Sequence, residues 1–329
     1  MSVFRDLADY IDEIYPNRNR TVHSEDAAFV KIFRELLTAD EACWAMKLTA
    51  QFVTPSQLAA QTNSPQLHAQ KYLRQLSIKG ILYEENKDGE WRYRLSPYFP
   101  GIVEALMSKN INESIAGYLQ EYMDELAAER VSENKNHRIQ LNQVIRTETY
   151  RLSREEIELY LDQTESYSLT DCLCRLVNKM NGKDCGHSIK DMCIQTGSYA
   201  EYYIRTGRAR RADRKEIENI LQYANEQGLY FEIFPVDDTR KNAFICNCCS
   251  CGCLFLQLSG RIQQFSGTGF GIEIEPLLCT DCRSCLRQCP SEAIGWNRKE
   301  GRLSVDPSLC FDCGLCLLLC PVQAIRRKT

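Results

Sequence analysis

The sequence of 329 residues predicts an α+β protein built from three domains. Three observations support this division. The first hundred residues carry helix signals followed by a hairpin signal, the middle of the chain combines helical patterns with nine cysteines, and the last fifty residues contain one cysteine pattern twice. We therefore place the domains at residues 1–100, 101–265 and 272–329, and we expect the central domain to be mainly helical.

Composition limits the classes of protein to be considered. The chain has 18 cysteines and no secretion signal in its first residues, so we expect reduced, metal-binding thiols in the cytoplasm of an oxygen-avoiding organism rather than disulfides. No apolar run is long enough to cross a membrane, so any membrane contact would come through a partner. The formal net charge of −4 provides no overall attraction for nucleic acid.

Capping and turn residues mark the elements of the first domain. Apolar spacing predicts a helix at the amino terminus that ends at Pro16. Three further helices begin at capping pairs, which are Thr38-x-x-Glu41, Thr54-Pro55 and Ser64-Pro65. Gly80 ends the last helix, and Asp88-Gly89 then predicts the turn of a β-hairpin. Cys43, isolated on a predicted helix, is expected to be a buried thiol.

This order of helices and hairpin resembles the winged helix-turn-helix family, with residues 64–79 as recognition helix and residues 84–90 as wing tip. Residues 21–100 nevertheless hold nine basic and nine acidic side chains. Four acidic residues on the wing would repel phosphate, namely Glu84, Glu85, Asp88 and Glu90. The cations of the helix are Lys71, Arg74 and Lys79. We therefore expect the domain to dock protein or to be structural, and DNA binding remains the alternative.

The central domain is predicted from a long amphipathic helix at residues 111–126, which would pack on a neighbouring helix or across a homodimer. Nine cysteines follow in two groups, separated by a predicted helix at residues 214–227. They are Cys172, Cys174, Cys185, Cys193, Cys246, Cys248, Cys249, Cys251 and Cys253. Donor sets made of thiolates favour iron–sulfur clusters or zinc over hard cations.

We predict one or two 4Fe-4S clusters at these nine cysteines, with structural zinc as the alternative and disulfides or idle thiols as the remaining possibility. Because Cys248 and Cys249 are adjacent, they cannot easily face one small cluster, and the thiols should either divide between two sites or include spares. His187 is expected to be a hydrogen-bonded structural residue rather than a ligand. The glycine-rich loop at residues 266–271 lacks the spacing of a dinucleotide site, and we interpret it as a flexible joint.

The last domain repeats the pattern Cys-x-x-Cys-x-x-Cys-x-x-x-Cys-Pro. Three cysteines at this spacing can hold three corners of a cubane. We expect the fourth cysteine to open a helix that carries it to the other cluster, a crossing that is typical of this motif. One 4Fe-4S cluster is therefore assigned to Cys279, Cys282, Cys285 and Cys320, and the second to Cys310, Cys313, Cys316 and Cys289. A pair of zinc sites would require neither the prolines nor the repeat.

Residues 274–326 resemble the bacterial-type dicluster ferredoxin domain, because both motifs are complete and an Ala-Ile pair follows each at the same offset. A β-hairpin with a turn at Gly301 is predicted between the motifs. The segments 171–193 and 245–253 resemble the cysteine-rich module that precedes such domains in larger iron–sulfur proteins of anaerobes.

Together these patterns predict an electron-transfer protein that moves electrons through several 4Fe-4S clusters to or from a partner oxidoreductase. The resemblance implies a partner that is linked to flavin or nicotinamide. We expect a subunit or carrier rather than a stand-alone enzyme. The alternatives are an iron–sulfur redox-sensing transcription regulator that uses the winged-helix-like domain, and an enzyme acting at a non-cubane cluster.

Overall fold

The structure is a computed structural model of the chain. It describes residues 2–15, 23–109, 111–133, 160–227, 229–236, 241–249, 251–254, 271–289, 291–310 and 315–328. Cys313 and nearly all of the predicted joint at residues 266–271 lie outside these ranges. Helices and strands are mixed throughout the described residues, so the predicted α+β class is confirmed.

Seven α-helices, one π-helix (Tyr98–Ile102) and one hairpin of the described chain precede the cysteine-rich region. The α-helices and strands are α1 (Val3–Ile14), α2 (Ala28–Leu36), α3 (Ala39–Ala45), α4 (Pro55–Thr62), α5 (Gln66–Lys79), β1 (Leu82–Lys87), β2 (Glu90–Leu95), α6 (Val103–Lys109) and α7 (Glu113–Glu133). Thr38 and Thr54 form complete capping boxes, and Gly80 ends α5 with a φ of +86°. The predicted order of helices and hairpin is therefore confirmed, whereas its relation to the winged-helix family remains a prediction.

The hairpin differs from the predicted wing in its length. Asp88 and Gly89 both have positive φ, as a two-residue turn between twisted strands requires. The strands therefore continue as far as Lys87 and Glu90. Glu84, expected on the exposed tip, is buried at the start of β1.

The first apolar core extends beyond the predicted boundary at residue 100. Leu7 of α1, Phe29 of α2 and Leu73 of α5 pack in one cluster with Leu119 of α7. Val177, which lies on the first helix of the cysteine-rich region, joins the same cluster. That helix consequently packs against the amino-terminal helices and is not connected to them by the chain alone.

The cysteine-rich region contains a five-stranded antiparallel sheet beside its helices, and the expectation of a mainly helical domain did not include this sheet. The strands are β3 (Tyr167–Thr170), β4 (Cys193–Thr196), β5 (Arg210–Ala212), β6 (Tyr230–Pro235) and β7 (Ala243–Cys248), in the order β5-β3-β4-β7-β6. The helices are α8 (Leu173–Met180), α9 (Gly197–Arg205) and α10 (Arg214–Glu226). The strands are only 3–6 residues long and carry cysteine and polar side chains, so they lack a clear apolar alternation.

The two faces of this sheet pack against different layers. Ile194 and Ile245 lie in a cluster with Ile217 of α10. Cys193 and Phe244 lie in another cluster with the tyrosines of α9 and with Tyr83 of β1. Helix α9 therefore lies between the sheet and the amino-terminal hairpin, and the cysteines of β4 and β7 lie on its side of the sheet.

The carboxyl-terminal domain repeats itself at an offset of 31 residues, the separation of Cys279 and Cys310. Its elements are β8 (Ile272–Ile274), α11 (Ser284–Arg287), β9 (Ile294–Asn297), β10 (Arg302–Val305), α12 (Leu315–Leu319) and β11 (Ile325–Arg327). The amide of Glu275 donates to Ala324, and the amide of Asp306, 31 residues on, donates to Ala293, both at 2.7 Å. The two halves thus exchange equivalent hydrogen bonds.

The carboxyl-terminal domain contains the predicted hairpin but differs from the prediction at the fourth cysteine of the motif. The predicted hairpin is confirmed by the pairing of β9 with β10. The fourth cysteine does not open a helix, however, because Cys285 already lies in α11 and Cys289 follows the end of that helix. Pro290 comes directly after Cys289 and does not favour a helical conformation in the residue before it. Among the described helices of the chain, none combines the length and apolarity of a membrane span.

Candidate metal centres

The first candidate centre joins the two halves of the carboxyl-terminal repeat. Cys279, Cys282 and Cys285 of the first motif line one cavity together with Cys320 of the second. These are the four cysteines that the sequence assigned to one cluster. Of the second assigned set, Cys289, Cys310 and Cys316 belong to the same apolar cluster, whereas Cys313 is outside the described residues.

Local hydrogen bonds polarise the sulfurs of the first centre. The amide of Ala324 donates to the Cys320 sulfur at 3.1 Å. A hydrogen bond from the Ser284 backbone amide is the main cause that holds the pKa of the Cys282 thiol below its usual value, whereas burial raises the pKa of Cys285. Donors aimed at thiolates stabilise their negative charge and shift the reduction potential of a cluster that they hold.

A second candidate centre is a cavity of about 50 Å³ in the cysteine-rich region. Seven cysteines line it, and we name six of them the inner set: Cys172, Cys174, Cys193, Cys246, Cys248 and Cys253. Pairing of β4 with β7 places Cys193 directly opposite Cys246, and Cys248 lies two residues along the same face. The amino-terminal end of α8 contributes the first two members.

The remaining three cysteines form a separate group, which we name the outer set: Cys185, Cys249 and Cys251. Their sulfurs all lie within 4.8 Å of one another, and those of Cys185 and Cys249 are 4.0 Å apart. Cys249 also borders the cavity of the inner set. The adjacent Cys248 and Cys249 thus fall in different sets, and none of the 17 described cysteines forms a disulfide.

Arg175 provides a test of whether these cysteines are suited to metal. Its guanidinium is buried and donates to the Cys249 sulfur at 3.3 Å and to the carbonyls of Ser188 and Asn247. No carboxylate among the described residues forms an ion pair with it. A buried cation needs a negative partner, and here thiolates are in place to supply it.

Burial makes free thiolates unfavourable in this region. It raises the pKa of the Cys172 thiol to about 12, so at neutral pH a metal-free thiol would be protonated. A bound metal removes that proton and keeps the sulfur anionic. The buried Arg175 and the six sulfurs around one cavity therefore fit a thiolate-ligated cluster better than a group of spare thiols.

Three single residues lie outside the predicted ligand sets or differ from their predicted roles. Cys43 is exposed on α3, so the prediction of a buried thiol is wrong because that face of the helix points to solvent. His187 does not join the three sulfurs of the outer set. No sequence pattern pointed to Glu104, whose carboxyl lines the inner cavity and accepts a hydrogen bond from the Gly101 amide at 2.7 Å. Burial raises the pKa of Glu104 to about 7.

Comparison with known proteins supports one part of the chain. A family model for the 4Fe-4S dicluster domain matches residues 278–324. None of the curated proteins and none of the solved structures gives a significant match. The predicted ferredoxin-like character of the carboxyl-terminal domain is thereby confirmed, and this domain is of a type that binds 4Fe-4S clusters.

Proposed function

We propose that the protein transfers electrons through several 4Fe-4S clusters to or from a partner oxidoreductase. The observation that carries this proposal is the cavity shared by Cys279, Cys282, Cys285 and Cys320, within a domain that matches the dicluster family. Each cluster would then be held by both halves of the repeat, so that neither half could fold around its cluster alone. Cys310, Cys313, Cys316 and Cys289 hold the second cluster in this proposal.

A third 4Fe-4S cluster would occupy the inner set, using four of its six sulfurs. Bound there, the cluster would store one electron, and the protein would set its reduction potential by burying it and by placing charged groups near it. Arg175 places a fixed positive charge near these thiolates and would raise the reduction potential of the cluster. The partner that exchanges electrons with the chain is, by the resemblance described above, a flavin- or nicotinamide-linked enzyme.

The helical amino-terminal region serves as a docking and structural unit in this proposal. Two of the three cations available for DNA are already paired, because Arg74 contacts Glu84 and Lys79 contacts Glu41, each at 2.7 Å. In addition, Tyr83 of the hairpin stacks on Tyr199 of α9 with ring centroids 5.0 Å apart. These contacts favour an electron carrier over the alternative of a DNA-binding redox sensor.

Iron analysis and EPR of the anaerobically purified full chain test the proposal. We expect at least about eight irons per chain from the dicluster domain. If Cys320 crosses to the first cluster, the EPR spectrum of Cys320→Ser should match that of Cys279→Ser and differ from that of Cys310→Ser. Cys43→Ser, at an exposed position, is the control. A spectrum of Cys320→Ser that matches Cys310→Ser would contradict the ligand assignment.

A redox titration separates the carrier from the sensor. A carrier should pass through at least two reversible one-electron steps without losing iron. A sensor would instead lose or convert a cluster on oxidation and change its affinity for a DNA site. Irreversible iron loss after one oxidation cycle under anaerobic conditions would therefore contradict the proposed function.

A further inference from the structure

The outer set differs from every other cysteine group of the described chain in how closely its sulfurs approach. All three sulfurs lie within 4.8 Å of one another, a condition that no other set of three described cysteine, histidine or acidic residues meets. We propose that Cys185, Cys249 and Cys251 bind a single zinc ion, separate from the iron–sulfur clusters. This site is independent of the electron-transfer function proposed above.

The spacing of the sulfurs favours one ion over a cubane. Thiolates bound to the same zinc at about 2.3 Å in a tetrahedron lie about 3.8 Å apart. Cys185 and Cys249 approach this value, with sulfurs 4.0 Å apart. Cysteines of a cubane each bind a different iron, so their sulfurs lie farther apart.

The carboxyl-terminal domain provides an internal comparison. Cys279, Cys282 and Cys285 belong to the dicluster domain and surround one cavity, yet they do not form a group as close as the outer set. The inner set likewise contains no such group of three. Among the described residues, three sulfurs within 4.8 Å of one another therefore occur at the outer set and not in the domain where the family match indicates 4Fe-4S clusters.

The surroundings of Cys249 provide a second, independent observation. Its sulfur accepts hydrogen bonds from the Arg175 guanidinium at 3.3 Å and from the Gly252 amide at 3.2 Å. Such donors orient a thiolate ligand and offset its charge. A Cβ atom at Gly252 would lie 3.1 Å from the sulfurs of both Cys185 and Cys249. The absence of a side chain at this position lets the backbone approach both sulfurs closely.

Three protein ligands leave the fourth position of a tetrahedral zinc open. Among the described residues no histidine, cysteine or carboxylate completes the group, and His187 does not belong to it. Cys251 is exposed, so the ion would be reached from solvent. Three ligands with one open position is the arrangement of zinc sites that bind water or substrate, and the sulfur-rich set suits a thiol as the exchangeable ligand.

Metal analysis of the full chain, purified anaerobically, tests the proposal. We expect one zinc per chain beside the iron, and zinc K-edge absorption should show three sulfurs at about 2.3 Å and one lighter atom. Cys249→Ser and Cys251→Ser should lose the zinc but keep their iron. Cys43→Ser should keep both metals, and Cys193→Ser in the inner set should keep the zinc. Because Cys251 is exposed, its variant carries the test if Cys249→Ser fails to fold.

The EPR signal of the dicluster domain, recorded on the same samples, reports folding and the electron-transfer function separately from the zinc site. Absence of zinc from the unchanged chain, together with loss of iron from Cys251→Ser, would assign the outer set to a cluster and overturn the proposal. Zinc that stays bound in both variants would overturn it as well. An imidazole in the zinc spectrum would identify His187 as fourth ligand and contradict the open position.

Discussion

Glu84 is predicted to hold the amino-terminal hairpin on the cysteine-rich region, and Glu84→Ala tests this role. Its side chain has no exposed surface and accepts hydrogen bonds from Arg74 at 2.7 Å and from Arg205 of α9 at 2.6 Å. The Arg205 guanidinium also lies 3.4 Å from the centre of the Trp91 ring. The Glu84 carboxylate on the hairpin therefore binds both α5, the predicted recognition helix, and α9.

The expected loss in the free energy of unfolding depends on how exposed Arg74 and Arg205 are. Removing one member of a fully buried ion pair costs about 3–5 kcal/mol, because it leaves an unpaired buried charge. Here both arginines are about one-third exposed and can be partly rehydrated, so we expect a smaller loss of about 2–3 kcal/mol. For a unit of this size that corresponds to a Tm lowered by roughly 4–12 °C.

The assay is anaerobic thermal unfolding of the full chain, followed by far-UV circular dichroism. Glu90→Ala is the matched control, because Glu90 lies on the same hairpin, is exposed and should change the free energy of unfolding by less than about 0.5 kcal/mol. Arg74→Ala combined with Glu84→Ala should cost less than the sum of the two single changes. Equal effects of Glu84→Ala and Glu90→Ala would refute the proposed role of the ion pair.

Three further predictions concern pH, backbone strain and DNA. Burial raises the folded-state pKa of Glu104 from 4.5 to about 7, so ionisation of this carboxyl destabilises the fold increasingly as pH rises from 4.5 to 7. Glu104→Gln should therefore raise the free energy of unfolding by about 2 kcal/mol at pH 6 and by about 3 kcal/mol at pH 8, measured by urea unfolding. Gly80→Ala should lower the free energy of unfolding more than Gly89→Ala in the same assay. Both glycines have positive φ, but only a Cβ atom at position 80 would clash with a neighbour, the Cβ of Ala105 at 2.6 Å. The full chain should show no sequence preference among genomic DNA fragments at physiological salt, and a specific site bound in the nanomolar range and weakened by Lys71→Ala would contradict this.

The sequence alone determined the features that depend on neighbours along the chain. The ferredoxin-like motifs were predictable because three of the four predicted ligands of each cluster lie within seven residues, and the 31-residue repeat is the basis for the predicted crossing of the fourth. Helix starts at Thr38 and Thr54, and the end of α5 at Gly80, were predictable because capping is a local hydrogen-bonding requirement.

Only the tertiary structure decided how distant segments meet. The five-stranded sheet was missed because its short strands pair across long separations, as Cys193 does with Cys246. The fold as a whole sorts the nine cysteines into an inner set of six and an outer set of three, a division that spacing along the chain does not fix. The sequence alone leaves Arg74 available to contact phosphate, whereas the fold places it beside Glu84 and Arg205. In each case the deciding contact joins residues whose separation carries no local signal, so packing rather than sequence pattern determines which groups share a site.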